Sequence, residues 1–187
     1  MDKNFLKEYF EDFTQCLNQD DNNLIKLIDL KNRIIETSQN KGKIIIIGNG
    51  GSAAISSHFS VDLTKNAKVT AINFNEADLI TCFSNDYGYE NWVSKALEFY
   101  SDPQDLIILI SSSGKSENMI NAAETAINLG IKNLITFTGF SKDNPLRKKG
   151  HLNFWVDSKA YNFVENIHQI WLLSIVDLII GDKLYEA

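Results

Sequence analysis

A run of four isoleucines leading into a glycine-rich turn constrains this 187-residue chain more than any other feature. Residues 44–47 are all isoleucine, and such branched side chains favour a strand covered on both faces, as in a parallel sheet. Residues 48–51, Gly-Asn-Gly-Gly, permit unusual backbone angles and close approach of a ligand. Ser52 then suits the N-cap of a helix. Because helix N-termini attract anions, the stretch predicts a phosphate site; a tight turn without a ligand is the alternative.

A second polar turn follows another aliphatic run, residues 106–110. Residues 111–116, Ser-Ser-Ser-Gly-Lys-Ser, offer four hydroxyl groups beside main-chain amides and the start of a helix. Such donors suit a phosphate monoester, whose terminal oxygens each need a partner. A serine-rich loop that only caps its helix is the alternative. The glycine turn in the same predicted sheet weakens that alternative.

Strands and helices alternate along the chain, which predicts an α/β fold with a doubly wound, mostly parallel five-stranded sheet. Ligands in such sheets bind at the carboxyl ends of the strands. One domain spans residues 1–187, with a helical hairpin at 2–40 before the α/β core at 43–187. The hairpin covers the sheet or packs against another subunit. Strands are predicted at 44–47, 68–73, 106–110, 133–137 and 152–156, helices at 2–19, 22–40, 53–65, 76–84, 91–100, 117–129 and 161–180, and a turn at 85–89.

Composition excludes several classes of partner. The net charge of −6, without a basic stripe, argues against a nucleic-acid surface.

No basic segment followed by an apolar run stands at the N-terminus, so no secretory signal is predicted. The longest apolar stretch, residues 170–180, is interrupted by Ser174 and Asp177 and is too short to span a membrane. Cys16 and Cys82 are isolated, as expected of reduced thiols in the cytoplasm.

A dinucleotide site is an alternative to a phosphosugar site, because Gly48, Gly50 and Ala53 satisfy a loose G-x-G-x-x-A pattern. That site needs an acidic residue at the end of the second strand. Here the strand ends at Asn73, and the nearest acid is Glu76. A phosphosugar therefore ranks well above a dinucleotide, and no nucleotide cofactor is expected.

Two predicted helices each carry a carboxylate and an imidazole on one face. His58 and Asp62 are four residues apart, and Glu165 and His168 are three apart. Together they would form an acid–base cluster or hold a divalent metal; surface or capping pairs are the alternative. The apolar neighbours of Glu165 and His168 predict a largely buried helix, which favours a functional site because unpaired buried charges are costly.

Further polar residues follow strands at the same predicted edge of the sheet. Asn49, Asn85 and Asp86 are candidates for contacts with sugar hydroxyls. Lys115 would neutralise a phosphate, or it is simply a solvated loop lysine.

Several of these segments resemble the sugar isomerase (SIS) domain family, in particular its phosphoheptose isomerase branch. The resemblance implies a flavodoxin-like α/β sandwich, assembled as a homotetramer with active sites at subunit interfaces. It also implies conversion of sedoheptulose 7-phosphate to a heptose 7-phosphate for surface polysaccharide, through an enediol. The segments that carry it are Gly48-Asn49-Gly50-Gly51-Ser52-Ala53-Ala54, Ser57-His58-Phe59, Asn85-Asp86-Tyr87-Gly88, residues 110–116 and Thr136-Phe137-Thr138-Gly139.

The resemblance also implies roles for individual positions. Some members of the family hold zinc, and here the corresponding positions include His58, Asp62 in place of glutamate and Glu165 in place of glutamine. A histidine of the family that binds the metal and moves protons falls at Leu173, which can do neither. Asn162 and Phe163 replace an Asp-Arg pair. Sugar and phosphate binding is implied for Asn49, Gly50, Gly51, Ser52, Ser111, Ser112, Ser113 and Ser116.

The phosphate half of the implied site is thus retained, and the reacting half is altered. One outcome is an isomerase in which Asp62, Glu165 and His168 supply the acid–base groups, with zinc at His58, Asp62 and Glu165 as an option. The other is a phosphosugar-binding protein without turnover, acting as a regulator or assembly partner. The three titratable groups favour the enzyme.

Overall fold

The computed structural model describes residues 1–18 and 20–185. Its five strands form one sheet in the order β2-β1-β3-β4-β5, with every neighbouring pair parallel. The predicted doubly wound fold is therefore confirmed. The strands are β1 (Ile44–Gly48), β2 (Ala71–Ile72), β3 (Leu106–Ser111), β4 (Asn133–Thr138) and β5 (Leu152–Trp155). The helices are α1 (Asp2–Leu17), α2 (Asp21–Gln39), α3 (Gly51–Lys65), α4 (Ala77–Tyr87), α5 (Trp92–Tyr100), α6 (Glu117–Asn128) and α7 (Tyr161–Ile180).

The four isoleucines of β1 show why this sheet needs helices on both faces. Ile44 and Ile46 belong to a core formed with α2, α3 and α7, whereas Ile45 and Ile47 belong to a core formed with α5 and α6. All four are fully buried. Because successive side chains of a strand point to opposite faces, a strand with no polar position must be covered twice.

Three local predictions are corrected. Strand β2 has two residues rather than six, because the backbone of Lys68 is left-handed, with φ at 59°, and turns the chain there. Helix α4 extends through residues 85–87 of the predicted turn and ends at Tyr87, with Gly88, whose φ is 85°, as its C-cap. Helix α3 begins at Gly51 with Gly50 as its N-cap, so Ser52 lies buried inside the first turn instead of capping it.

Helix α7 has 20 residues and is long and apolar enough, by length and composition, to cross a bilayer. The sequence prediction considered only its second half. Length and composition also fit a core helix of a globular domain. Eight residues of α7 are buried, and the helix packs against α3, α2 and α1.

Candidate active site

A cavity of about 300 Å³ lies where the carboxyl ends of β1 and β3 meet. These strands are adjacent, with Gly48 paired to Ile110, yet the connections that follow them run to opposite faces of the sheet. This switch point is where open α/β sheets bind ligands. The cavity is lined by Asn49, Gly50, Gly51, Ser52, Ile110, Ser111, Ser112, Ser113, Ser116, Tyr161 and Glu165.

The glycine turn forms one wall of the cavity. Gly50 has a φ of 56°, a conformation that other residues adopt only with strain. Gly51 lies so close to α7 that a methyl group there would overlap the carboxylate of Glu165. The amides of Ser52 and Ala53 at the start of α3 donate to the carbonyl oxygens of Asn49 and Gly50, so this wall owes its positive electrostatic character to the helix dipole.

The serine loop, residues 111–116, forms a second wall. Ser111 Oγ lies 3.1 Å from Ser116 Oγ, while the buried Ser112 Oγ has no hydrogen-bond partner in the described part of the chain. Ser116 is the N-cap residue of α6, but its hydroxyl makes no capping bond. Two helix N-termini and several hydroxyls therefore converge on one cavity, which suits a phosphate group.

The carboxylate of Glu165 completes the cavity lining beside the glycine turn. The side chain extends from the first turns of α7 toward Gly51. Partial burial raises the pKa of Glu165 above its ordinary value of 4.5. A carboxylate with a raised pKa is a stronger base than one in water, which suits proton abstraction.

Sequence reasoning missed Asn118 and the tyrosines at 89 and 161. Asn118 is 2% exposed and exchanges two hydrogen bonds with Asn49, each of 2.9 Å. Tyr89 also donates its hydroxyl hydrogen to Asn49 Oδ1, at 3.2 Å. The position of Asn118 beside the serine loop was the available signal, but an asparagine in a first helical turn normally indicates only local capping.

His168 does not join Glu165 in the cavity, which corrects its assignment to the acid–base cluster. It is fully buried in the core, where its ring lies edge-on to Phe137 at 5.6 Å. Its Nε2 is 3.0 Å from the Thr138 carbonyl oxygen, whereas Nδ1 has no partner among the described residues. Desolvation lowers the pKa of His168 to about 4 despite that bond, so the ring is neutral at pH 7. Residues three apart on a helix share a side, but the packing of α7 turns these two toward different surroundings.

His58 and Asp62 on α3 contact each other as predicted, but neither side chain lines the cavity. His58 Nε2 lies 3.3 Å from Asp62 Oδ2, and the imidazole is 48% exposed. Its Nδ1 lies 3.2 Å from Gln169 Nε2 on α7, a partner that sequence reasoning did not identify. Leu173 follows one turn later on α7.

These positions do not assemble the donor set of a zinc site. Within residues 1–18 and 20–185, no three His, Cys, Asp or Glu side chains are grouped so as to hold a metal ion. His58 and Asp62 face each other, Glu165 lies at the cavity, and the fourth position is an alkyl side chain at Leu173. No chemical step is therefore assigned to a metal.

Three other predicted contact residues do not line the cavity. Asn85 and Asp86 are exposed in the last turn of α4, where Asn85 Nδ2 donates to Asp86 Oδ1 at 2.9 Å. Lys115 is exposed on the serine loop and does not line the cavity. The sugar-binding roles of Asn85 and Asp86 stay predictions.

The fold and the two polar turns of this cavity are those expected of the SIS domain family, and the chain belongs to it: the family model matches residues 8–139. Phosphoheptose isomerase of Aliarcobacter butzleri is 33% identical over 152 residues, which cover 78% of this chain and 79% of that protein. Phosphoheptose isomerase of Helicobacter pylori (strain P12) is 41% identical over 107 residues, but the match covers only 54% of this chain and 56% of that protein. The solved structure of phosphoheptose isomerase from Neisseria gonorrhoeae superposes with a TM-score of 0.88 over 97% of this chain and 100% of that one. At 22% identity that likeness shows the fold.

Proposed function

We propose that this protein is a phosphosugar ketose–aldose isomerase and that sedoheptulose 7-phosphate, converted to a heptose 7-phosphate for surface polysaccharide, is its substrate. One observation carries the proposal: the serine loop and a carboxylate of raised pKa, Glu165, line the same cavity. The relatives named above as phosphoheptose isomerases support the choice of substrate.

In this proposal the serine loop holds the phosphate and orients the sugar chain toward α7. Glu165 removes the proton from C1 of the ketose, giving an enediol, and returns it to C2 to form the aldose. The hydroxyl hydrogens redistribute between the two oxygens, so no atom is gained or lost. Holding the phosphate several carbons from the reacting atoms uses remote binding energy to position C1 and C2.

A second candidate is a phosphosugar-binding protein without turnover. It is favoured by one observation: of the three proposed acid–base groups, Asp62, Glu165 and His168, Glu165 alone lines the cavity. The experiment that separates the two is NMR of sedoheptulose 7-phosphate with the purified protein, with and without added zinc. New aldose signals establish the isomerase. Binding of the sugar without conversion would point to another phosphosugar substrate or to the second candidate.

The serine loop can be tested separately from the chemistry. Ser113→Ala is expected to weaken phosphosugar binding by about tenfold or more, because it removes a hydroxyl from the proposed phosphate site. Ser141→Ala is the matched control, because it removes an exposed serine hydroxyl that does not line the cavity. Dissociation constants from calorimetry provide the measurement. Equal phosphosugar affinity of Ser113→Ala and the unmodified protein would contradict phosphate binding by this loop.

We also place the protein in the cytoplasm and propose that it forms a homotetramer through its helical hairpin. No residue of α1 is buried within the chain, and α1 contacts α7 through Tyr9 and Phe13, whose rings lie 4.7 and 5.5 Å from that of Phe163. The hairpin leaves large apolar side chains exposed, namely Phe5, Leu6, Phe10, Leu24, Ile25 and Ile28. Apolar surface of this kind is typical of subunit contacts.

Light scattering tests the assembly. The unmodified protein is expected to have the mass of four chains, and the double variant Phe10→Glu, Ile25→Glu a lower mass, because two charges would be buried without partners. Lys132→Glu changes an exposed charge outside the hairpin and is expected to leave the mass unchanged. An unchanged mass in the double variant would exclude these two side chains from the interface.

A further inference from the structure

The side chain that follows β1 is held by a buried partner on another element. Asn49 Nδ2 donates to Asn118 Oδ1, and Asn118 Nδ2 donates to Asn49 Oδ1, both at 2.9 Å. Asn118 belongs to the first turn of α6 and is 2% exposed. Asn49 lines the cavity, whereas Asn118 lies behind it. A reciprocal pair of amides fixes both side-chain planes, because either rotation would break two bonds.

The side-chain amide of Asn49 can offer a ligand only the hydrogen-bonding groups that its protein partners leave free. A carboxamide has two N–H donors and two acceptor lone pairs. Both lone pairs of Asn49 Oδ1 are used, one by Asn118 Nδ2 and one by the Tyr89 hydroxyl at 3.2 Å. One N–H donates to Asn118. In the described part of the chain, the remaining capacity of this amide is therefore a single N–H donor.

We propose that Asn118 and Tyr89 are positioning residues that make Asn49 a donor-only group, so that its free N–H binds the oxygen that becomes negatively charged as the sugar isomerises. This inference rests on the proposed function and deepens it. Removing a proton beside a carbonyl places negative charge on that oxygen, and a fixed donor stabilises this charge more than the neutral ground state. Asn49 and Glu165 line the same cavity, so base and donor can act on one substrate.

Asn118→Ala tests the proposal, because it frees the Asn49 amide without changing a residue that lines the cavity. The expected result is a kcat lowered by about 10- to 100-fold, with KM within about threefold, because the donor matters mainly in the transition state. Asn128→Ala is the matched control. Asn128 is exposed, is the last residue of the same helix and does not line the cavity. It is expected to retain the kcat of the unmodified protein.

A kcat that is unchanged in Asn118→Ala, or lowered equally in both variants, would overturn the proposal and reduce the amide pair to a structural tie between β1 and α6. A second measurement does not depend on turnover. The Asn49 side-chain NH₂ signals in NMR, identified by their loss in Asn49→Asp, should show slow hydrogen exchange in the unmodified protein and fast exchange in Asn118→Ala. Identical exchange in the two would overturn the positioning role. If the unmodified protein converts no phosphosugar, the proposed function fails, while the exchange comparison still decides the role of Asn118.

Discussion

Replacing Glu165 by glutamine is expected to lower kcat for phosphosugar isomerisation by about 10²- to 10⁴-fold and to change KM little. Glutamine keeps the size of the side chain and its position beside Gly51 but cannot accept a proton from carbon. Steady-state rates at saturating sedoheptulose 7-phosphate provide the measurement. Equal losses in kcat and in sugar affinity would count against a role for Glu165 as the base.

The pH dependence of the isomerisation rate tests the role of Glu165 independently. Burial raises the pKa of Glu165 above 4.5, and the base must be ionised to act. Activity should therefore rise with pH through that raised pKa, and the residual activity of Glu165→Gln should lack this rise.

Asp62→Asn is the matched comparison for Glu165→Gln, because both substitutions turn a carboxylate into its amide. Asp62 pairs with the half-exposed His58 and does not line the cavity. Its variant is expected to retain most of the activity. A large loss of kcat in Asp62→Asn with a small one in Glu165→Gln would transfer the role of base to α3.

The second large effect concerns stability and arises from His168. The pKa of this buried imidazole is lowered from 6.5 to about 4, so between these values the unfolded chain binds a proton that the folded chain excludes. The free energy of unfolding should therefore fall as the pH drops from 6.5 to 4. A difference of this size corresponds to about 3 kcal/mol from His168.

Urea unfolding at a series of pH values measures this loss. His168→Phe should flatten the dependence between pH 6.5 and 4, because the titrating group is gone. The Thr138 carbonyl oxygen keeps a hydrogen bond from the Val156 amide, at 2.9 Å, so the variant does not strand that acceptor. His58→Gln removes a half-exposed histidine and is expected to retain the loss. An unchanged dependence in His168→Phe would assign the acid sensitivity to other groups.

The glycine turn and the serine loop were predictable as parts of one site because each is local in sequence. The glycine turn and the serine loop each follow a buried strand directly, and parallel strands bring their carboxyl ends to one edge. Residues that act through the strand–turn–helix unit itself, such as Gly50, Gly51 and Ser112, could therefore be named without coordinates. The structure places all three in the cavity.

The positions of Glu165 and His168 relative to the cavity were not predictable to the same degree, because they depend on how α7 is rotated against the sheet. Spacing placed Glu165 and His168 on one side of a helix, but a rotation of a few tens of degrees decides which of them enters the cavity. Packing on Phe137 and the Thr138 carbonyl takes His168 into the core. Glu165 is left at the cavity edge beside Gly51.

Hydrogen-bond partners that are distant in sequence could not be predicted from local sequence patterns. Asn49 and Asn118 are 69 residues apart, and His58 and Gln169 are 111 apart. Strand periodicity, glycine turns and helix starts depend on residues close together in sequence, so the chain itself determined the doubly wound sheet and the place of the cavity at its edge. Side-chain pairing across elements depends on helix rotation and depth of burial. Only the tertiary structure therefore decided that Glu165 faces the cavity, that His168 is a neutral core residue, and that Asn118 holds Asn49.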